Sequence, residues 1–358
     1  MDASALYLKI QSQLDHQLPF VVYRKSGEKK INSFLQNDNH LYDVNAYDTS
    51  GFVFAPFDSE DKAILIPTDK SSYYSAVILS ERKVQNQNQS SSIHNNHKAK
   101  KSHIKLVEDG IGAIANDSFK KVVLSRKEEM TFPSKDYLKV FQQLIDNYPN
   151  AFVYCWYHPA VGTWLGATPE TLVTIKEDQF FTMALAGTQP YVDSLEVYWG
   201  AKEIEEQAMV TDFVLNELSS KVSSIEKSST YTYQAGTLLH LRTDIKGFLK
   251  NKKSSVQDII KVLHPTPAVC GLPKKPAKSF ILKNELYDRK YYTGFLGELY
   301  INHKGKTESN LYVNLRCMEM SSGKAIIYVG GGITKDSISE KEWEETVRKT
   351  ETMKKVLH

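Results

Sequence analysis

Nothing in the 358-residue sequence supplies a long apolar run, a disulfide framework or a strong charge of one sign. No stretch approaches the about 20 apolar residues that a membrane-spanning helix needs. The first residues, MDASALYLKIQSQLDHQ, place apolar side chains at helical spacing and lack the apolar core of a secretory signal. Only three cysteines occur, Cys155, Cys270 and Cys317. They are odd in number, far apart and without a histidine spacing suited to zinc, so they are expected to be reduced thiols of a cytoplasmic protein. Lys and Arg number 45 against 42 Asp and Glu, a balance that calls for neither nucleic acid nor a membrane surface as partner. A Walker loop and a dinucleotide fingerprint are both missing. What is present is an ordinary globular composition, 41% hydrophobic and 24% charged, in a chain long enough for one large core or two.

After an N-terminal helix, residues 19–83 read as short strands, PFVVYRK, GFVFAPF, KAILIP and YYSAVIL, with turn residues between them. Composition then breaks. KVQNQNQSSSIHNNHKAKKSHIK has almost nothing apolar and predicts a polar flexible loop over 83–103. Ile104 to Asn116 follows as an amphipathic helix with Ile104, Val107, Ile111 and Ile114 on one side. From 121 onward, strands such as KVVLSRKEEMTF, AFVYCWYH, GTWLGAT, TLVTIK and FFTMALAGT dominate. YTYQAGTLLHLRTDIKGFL, YTGFLGELYIN, LYVNLRCMEM and AIIYVGGG are further strands. Helices interrupt them at DYLKVFQQLIDNY, over 195–225 and at the end of the chain. Hairpin-linked strands with helices inserted between groups predict an α+β fold. Its large, mostly antiparallel β-sheets would pack as a sandwich with the helices outside, in contrast to a doubly wound parallel sheet.

Two carboxylate pairs share one spacing. Glu203 and Glu206 in KEIEEQAMVTDFV lie three apart, as do Glu342 and Glu345 in SEKEWEETVRK, and Lys349 falls four after Glu345. Each pair therefore faces one side of its helix. Carboxylates bordering an apolar stripe are costly unless paired or bound to a cation. Spacing alone leaves two independent solvated faces open; pairs that converge would make an all-oxygen site suited to Mg2+. Glu170 follows a proline in GATPETL, at a sharp turn. Such a carboxylate is either simply exposed or, if buried, shifted towards the role of a general acid. Lys121 opens the apolar strand KVVLSRK, either as an edge-capping lysine or as a desolvated one able to act as a base. The consecutive glycines of YVGGGIT read as a concave set of N–H groups at a helix start, suited to a carboxylate. Arg316, read as lying within strand LYVNLRCMEM, needs an anionic partner. HPTPAVCGLPKKPA is a rigid, shaped turn. His264 there, and His240 in LLHLRTD, read first as structural histidines.

In order along the chain, KVVLSR, GATPETL, ALAGT, KEIEEQ, HPTPAVCGLP, YDRKYYTGFLG, VNLRCMEM and GGGIT followed by EWEET and a lysine resemble the motifs of the chorismate-utilising enzymes. Within that family they are most similar to the isochorismate synthases, from about Lys121 to Lys349. The resemblance implies the fold of anthranilate synthase component I, with 1–358 a single chorismate-binding domain. Residues 1–82 would be its strand-rich N-terminal part and 104–358 its catalytic core. It implies a Mg2+ ion held directly by Glu206 and Glu345, and through water by Glu203 and Glu342. Gly330, Gly331 and Gly332, with Lys349, would bracket the ring carboxylate. Tyr292 and Arg316 match positions that hold the enolpyruvyl carboxylate, while Gly187, Thr188 and His240 would line the ring pocket. Lys121 is similar to the base that activates water for attack at C2, and Glu170 to the acid that protonates the departing C4 hydroxyl.

The implied activity is an isomerase reaction, the Mg2+-dependent interconversion of chorismate and isochorismate, feeding menaquinone or siderophore biosynthesis. Chorismate and isochorismate are then the small-molecule partners. No nucleic acid, membrane or glutamine amidotransferase partner is expected, and the chain is expected to be a monomer. Lys121 differs from what ammonia-using relatives usually carry, and Ala186 stands where aminodeoxychorismate synthases have a nucleophilic lysine. HPTPAVCG is similar to the isochorismate-synthase form of its loop, which leaves salicylate synthase as the alternative. Gln207, where many relatives have histidine, and Cys270, in place of a common glycine, depart from the pattern without removing a proposed catalytic group. The first 100 residues match only loosely.

Overall fold

The computed structural model describes residues 1–44, 46–78, 97–134, 136–235, 238–250, 256–321 and 323–357. The chain opens with α1 (Ala3–Asp15), β1 (Phe20–Arg24), β2 (Lys30–Gln36), β3 (Tyr42–Val44), β4 (Gly51–Ala55), β5 (Ala63–Pro67) and β6 (Ser71–Val77). It continues through α2 (His97–Ala115), β7 (Lys121–Thr131), α3 (Tyr137–Asn147), β8 (Phe152–His158), β9 (Gly162–Thr168), β10 (Thr171–Lys176) and β11 (Gln179–Pro190). Next come α4 (Ala201–Ser219), β12 (Val222–Lys227), β13 (Tyr231–Ala235), β14 (Leu238–Leu249), α5 (Val256–Leu263), β15 (Gly271–Leu272) and α6 (Lys274–Asn284). The last elements are β16 (Phe295–His303), β17 (Lys306–Val313), β18 (Cys317–Ser321), β19 (Lys324–Ile333) and α7 (Ser339–Lys354).

Among the described residues the strands form two antiparallel sheets. The first runs β15-β7-β19-β18-β9-β8-β1-β2-β6, and the second β12-β14-β11-β10-β17-β16-β4-β5-β3, with β13 added on β14. The strand-rich N-terminal part is divided between them: β1, β2 and β6 extend the first sheet, and β3 to β5 the second. Between the sheets lies an aromatic layer that includes Tyr23, Phe34, Phe54, Phe152, Trp156 and Trp164. Its rings stack closely, Phe152 on Tyr312 at 4.0 Å and Phe54 on Tyr291 at 4.2 Å between centroids. Such pairs add about 0.5–1.5 kcal/mol each beyond area burial. The helices cover the outer faces. Leu6 and Ile10 of α1 and Leu138, Phe141 and Leu144 of α3 pack on the first sheet. Val210, Phe213 and Val214 of α4 and Ile259, Ile260 and Leu263 of α5 pack on the second. All three cysteines are buried and free. Among the described residues no helix is long and apolar enough to cross a membrane.

Four local expectations need correction. Residues 97–103 belong to helix α2, not to a loop, because the buried stripe Val107, Gly110 and Ile114 extends back one turn to His103, which packs near the Trp343 ring. The remainder of the 83–103 loop, residues 83–96, lies outside the described residues. The helical region at 195–225 contracts to Ala201–Ser219, and VSSIEK becomes β12, paired with β14 at the sheet edge. LYVNLRCMEM is two strands in different sheets, and Arg316 sits in the break between them. YVGGGIT is the end of β19, hydrogen-bonded to β7, and α7 starts only at Ser339. The glycines therefore act by lacking side chains in a strand, because their amides are not turned into a nest at a helix start.

Candidate active site

Two neighbouring crossovers carry the chain from one sheet to the other, and each delivers a functional side chain. Glu170 lies between β9 and β10, and Arg316 between β17 and β18. They are laced together, with Ala167 N donating to Arg316 O and Val313 N to Glu170 O, both at 3.0 Å. Arg316 adopts a left-handed φ of 46°, a conformation that turns its side chain out of the ladder, where either sheet would otherwise have held it. The cleft beside the crossovers offers about 130 Å3 of space and is lined by Glu170, Gly187, His240, Tyr292, Arg316 and Lys349 among others.

Its floor is the glycine end of β19. Gly332 pairs with Val123 and Gly331 with Leu124. Lys121 enters here with no exposed surface, its Cε 3.1 Å from where a Gly332 Cβ would stand, and a Cβ there would also overlap the Glu206 carboxylate. Lys121 Nζ lies 2.8 Å from Glu206 Oε1 but outside hydrogen-bonding alignment. The contact is coulombic, which leaves the amine unengaged by any aligned acceptor.

Three of the four glutamates converge on these glycines. Glu342 Oε2 and Glu345 Oε1 come within 3.5 and 3.6 Å of the position of a Gly331 Cβ, and Glu206 borders Gly332. Glu203 does not join them; it folds back over Gly200, with its stem against Gly187. Each converging carboxylate is held by a different lysine: Glu206 by Lys121, Glu342 by Lys202 at 2.7 Å and Glu345 by Lys349 at 2.6 Å. Lys349 also donates to Gly330 O at 3.1 Å. Burial alone would raise the Glu345 carboxyl, but Lys349, with help from Lys202 and Arg348, outweighs it and draws the group below its ordinary value. Among the described residues no three acidic, histidine or cysteine side chains gather tightly enough to ligate one ion. On the helix formed by SEKEWEETVRK the inner face is buried at Glu342, while Glu344 and Arg348 are exposed.

The opposite wall is built around His240. Gly187, at a φ of 70°, opens a bulge in β11 where its register with β14 shifts. That bulge brings the Gly187 carbonyl 2.8 Å from His240 Nδ1. A carbonyl can only accept, so Nδ1 carries the proton, and Nε2 accepts from Arg316 Nη2 at 2.9 Å. His240 is thereby kept neutral; burial, aided by Arg316, pushes it down to about 3. Thr188 Oγ1 lies at 3.5 Å from the same ring. Tyr292 is buried and stacks on Tyr328 at 5.6 Å, with its hydroxyl 3.1 Å from the position of a Gly330 Cβ. Glu170 is 5% exposed, and burial lifts its carboxyl to about 7 against the opposing pull of Lys121 and Arg316. That suits a group that must carry a proton near neutrality.

Sequence reasoning overlooked two contributors. Lys202 lines the cleft and bridges α4 to α7; the available signal was a lysine four before Glu206, although its partner turned out to lie on another helix. Arg289, in YDRKYYTG, donates to Glu285, Thr293, Val269 O and Val123 O, locking three segments that border the cleft. Gln207 faces away from the cleft and donates to Thr211 and Thr243, pinning α4 to β14.

The model of the chorismate binding enzyme family matches residues 56–358. The isochorismate synthase DhbC of Bacillus subtilis is 30% identical over 267 residues, covering 70% of this chain and 66% of that protein. A Bacillus anthracis protein described as a 2,3-dihydroxybenzoate-specific isochorismate synthase superposes with a TM-score of 0.79 at 23% identity, covering 98% of this chain and 99% of that one. The menaquinone-specific isochorismate synthase MenF of Escherichia coli gives 0.77 at 18% identity over 95% of this chain and 89% of that one. At these identities the two structures establish the shared fold. The matches span roughly half to two thirds of the length of the curated relatives.

Proposed function

The chain belongs to the family of chorismate-binding enzymes, and from that premise we propose that it interconverts chorismate and isochorismate. The observation that carries this reading is the pairing, at one cleft, of a fully buried lysine with a buried carboxyl held near 7. Lys121, as the neutral amine, takes a proton from the water that attacks C2 of the ring. The double bond shifts, and Glu170 gives its proton to the hydroxyl departing from C4 as water. No net charge is created, so positioning and proton transfer supply most of the rate. Arg316 and Tyr292 hold the enolpyruvyl carboxylate, with neutral His240 fixing the guanidinium. Lys349 and the open backbone at Gly330, Gly331 and Gly332 receive the ring carboxylate, and Gly187 and Thr188 complete the pocket.

The carboxylate-only donor set around Gly331 and Gly332 fits a hard divalent cation. Glu206 and Glu345 would hold Mg2+ directly and Glu342 through water; Glu203, folded back over Gly200, would have to turn inward to reach the ion's water shell. Bound there, Mg2+ supplies positive charge that neutralises and orients the ring carboxylate. The product would feed menaquinone or siderophore assembly. The test is incubation of purified protein with chorismate, with and without Mg2+, and identification of the products. Isochorismate formed only with Mg2+ supports the reading. Salicylate with pyruvate would mean salicylate synthase, and unchanged chorismate would overturn both.

A further inference from the structure

Two ion pairs cross the cleft between walls that belong to different sheets. Lys121 of β7 meets Glu206 of α4, and Lys202 of α4 meets Glu342 of α7. Lys121 has a part in the chemistry above; Lys202 has none. Its Nζ donates to Glu342 Oε1 at 2.7 Å. Its side chain keeps 30% exposure while that of Glu342 keeps 4%, so the lysine can swing away and the carboxylate cannot. Glu206 and Glu345 also act on its charge. At this cleft three glutamates, Glu206, Glu342 and Glu345, are each balanced by one lysine, Lys121, Lys202 and Lys349. A dianion entering alone would upset that balance, and so would a dication entering alone; together they preserve it.

We propose that Lys202 is an internal counter-ion that occupies Glu342 until the cation and the dicarboxylate arrive together. It ties α7 to α4, keeps a buried carboxylate paired and holds down the affinity for a divalent cation in the absence of substrate. The cation's approach places a like charge beside the ammonium, and Glu342 changes partner. This rests on the reading of the glutamates as a cation site. Lys202 is a positioning residue: it acts on the substrate through the cation and Glu342.

The experiment titrates the full chain with Mn2+ in place of Mg2+, without chorismate, following free Mn2+ by electron paramagnetic resonance. Lys202→Met should bind Mn2+ about tenfold more tightly than the parent, since one opposing charge is gone and Glu342 is released. Lys202→Arg, which keeps the bridge, should bind like the parent. Adding chorismate should tighten Mn2+ binding in the parent and narrow the gap to Lys202→Met. Equal or weaker binding by Lys202→Met overturns the inference while leaving the cation site intact. Absence of Mn2+ binding by both the parent and Lys202→Met, with chorismate as well as without it, overturns the cation site itself. Should the methionine variant fail to fold, Lys202→Gln takes its place with the same tenfold expectation.

Discussion

Glu170→Gln separates what the carboxyl does for the reaction from what its burial costs the fold. Gln keeps the shape and cannot ionise. In the folded protein burial moves the Glu170 carboxyl from 4.5 to about 7, with Lys121 and Arg316 opposing part of the rise. Each tenfold step in acidity corresponds to about 1.4 kcal/mol, so holding this group ionised in the fold costs about 3 kcal/mol. The sign follows from proton binding. Between pH 4.5 and about 7 the folded state keeps a proton that the unfolded state releases, so the parent loses stability as pH rises through that window. Above it the loss is complete; below 4.5 it is absent. Glu170→Gln has no such window. Urea unfolding of both proteins at pH 4 and pH 8 should show the variant gaining about 3 kcal/mol on the parent at the higher pH. Turnover of chorismate should fall by about 10²–10⁴, and the decline of parent activity as pH rises through about 7 should vanish from the residual rate. A stability gap that is the same at both pH values would mean that Glu170 titrates in the fold as it does in the unfolded chain, and its role as an acid near neutrality would be lost.

Lys121→Met keeps the buried stem and removes the amine beside Glu206; turnover should drop by at least about 10², and parent-like turnover would eliminate Lys121 as base. Gly332→Ala puts a methyl where the Glu206 carboxylate and the Lys121 stem now lie. Because both are ends of flexible side chains, the protein should fold with a stability loss of about 1–3 kcal/mol while activity falls at least tenfold; unaltered kinetics would mean that the glycine floor is not part of the site. Treatment with excess EDTA should abolish turnover and Mg2+ should restore it, with full activity in chelator as the refuting result.

Much of this protein was readable one residue at a time. Alternating and 3.6-period apolar patterns located most strands and helices, and the absence of long apolar runs and cysteine pairs narrowed the class. KINSFLQ escaped because Asn32 and Ser33 are buried polar residues inside β2, where alternation gives no signal. The extra turn of α2 escaped because its inward residue is His103, a side chain whose burial depends on Trp343 more than 200 positions away. Glu203 and Glu206 share a helical face by spacing alone, yet only Glu206 reaches the glycine floor, since Gly200 and Gly187 leave room for Glu203 to fold back.

By itself, then, the order of residues determined which segments become strands or helices and which side chains could do acid–base or cation chemistry, because these depend on local spacing and side-chain type. Only the tertiary structure decided that Glu170 and Arg316 stand on paired crossovers, that Lys121 is wholly buried and that Lys202 answers Glu342 across the cleft. Burial and charge balance arise when distant segments meet and exclude water, and no local pattern in a chain encodes them.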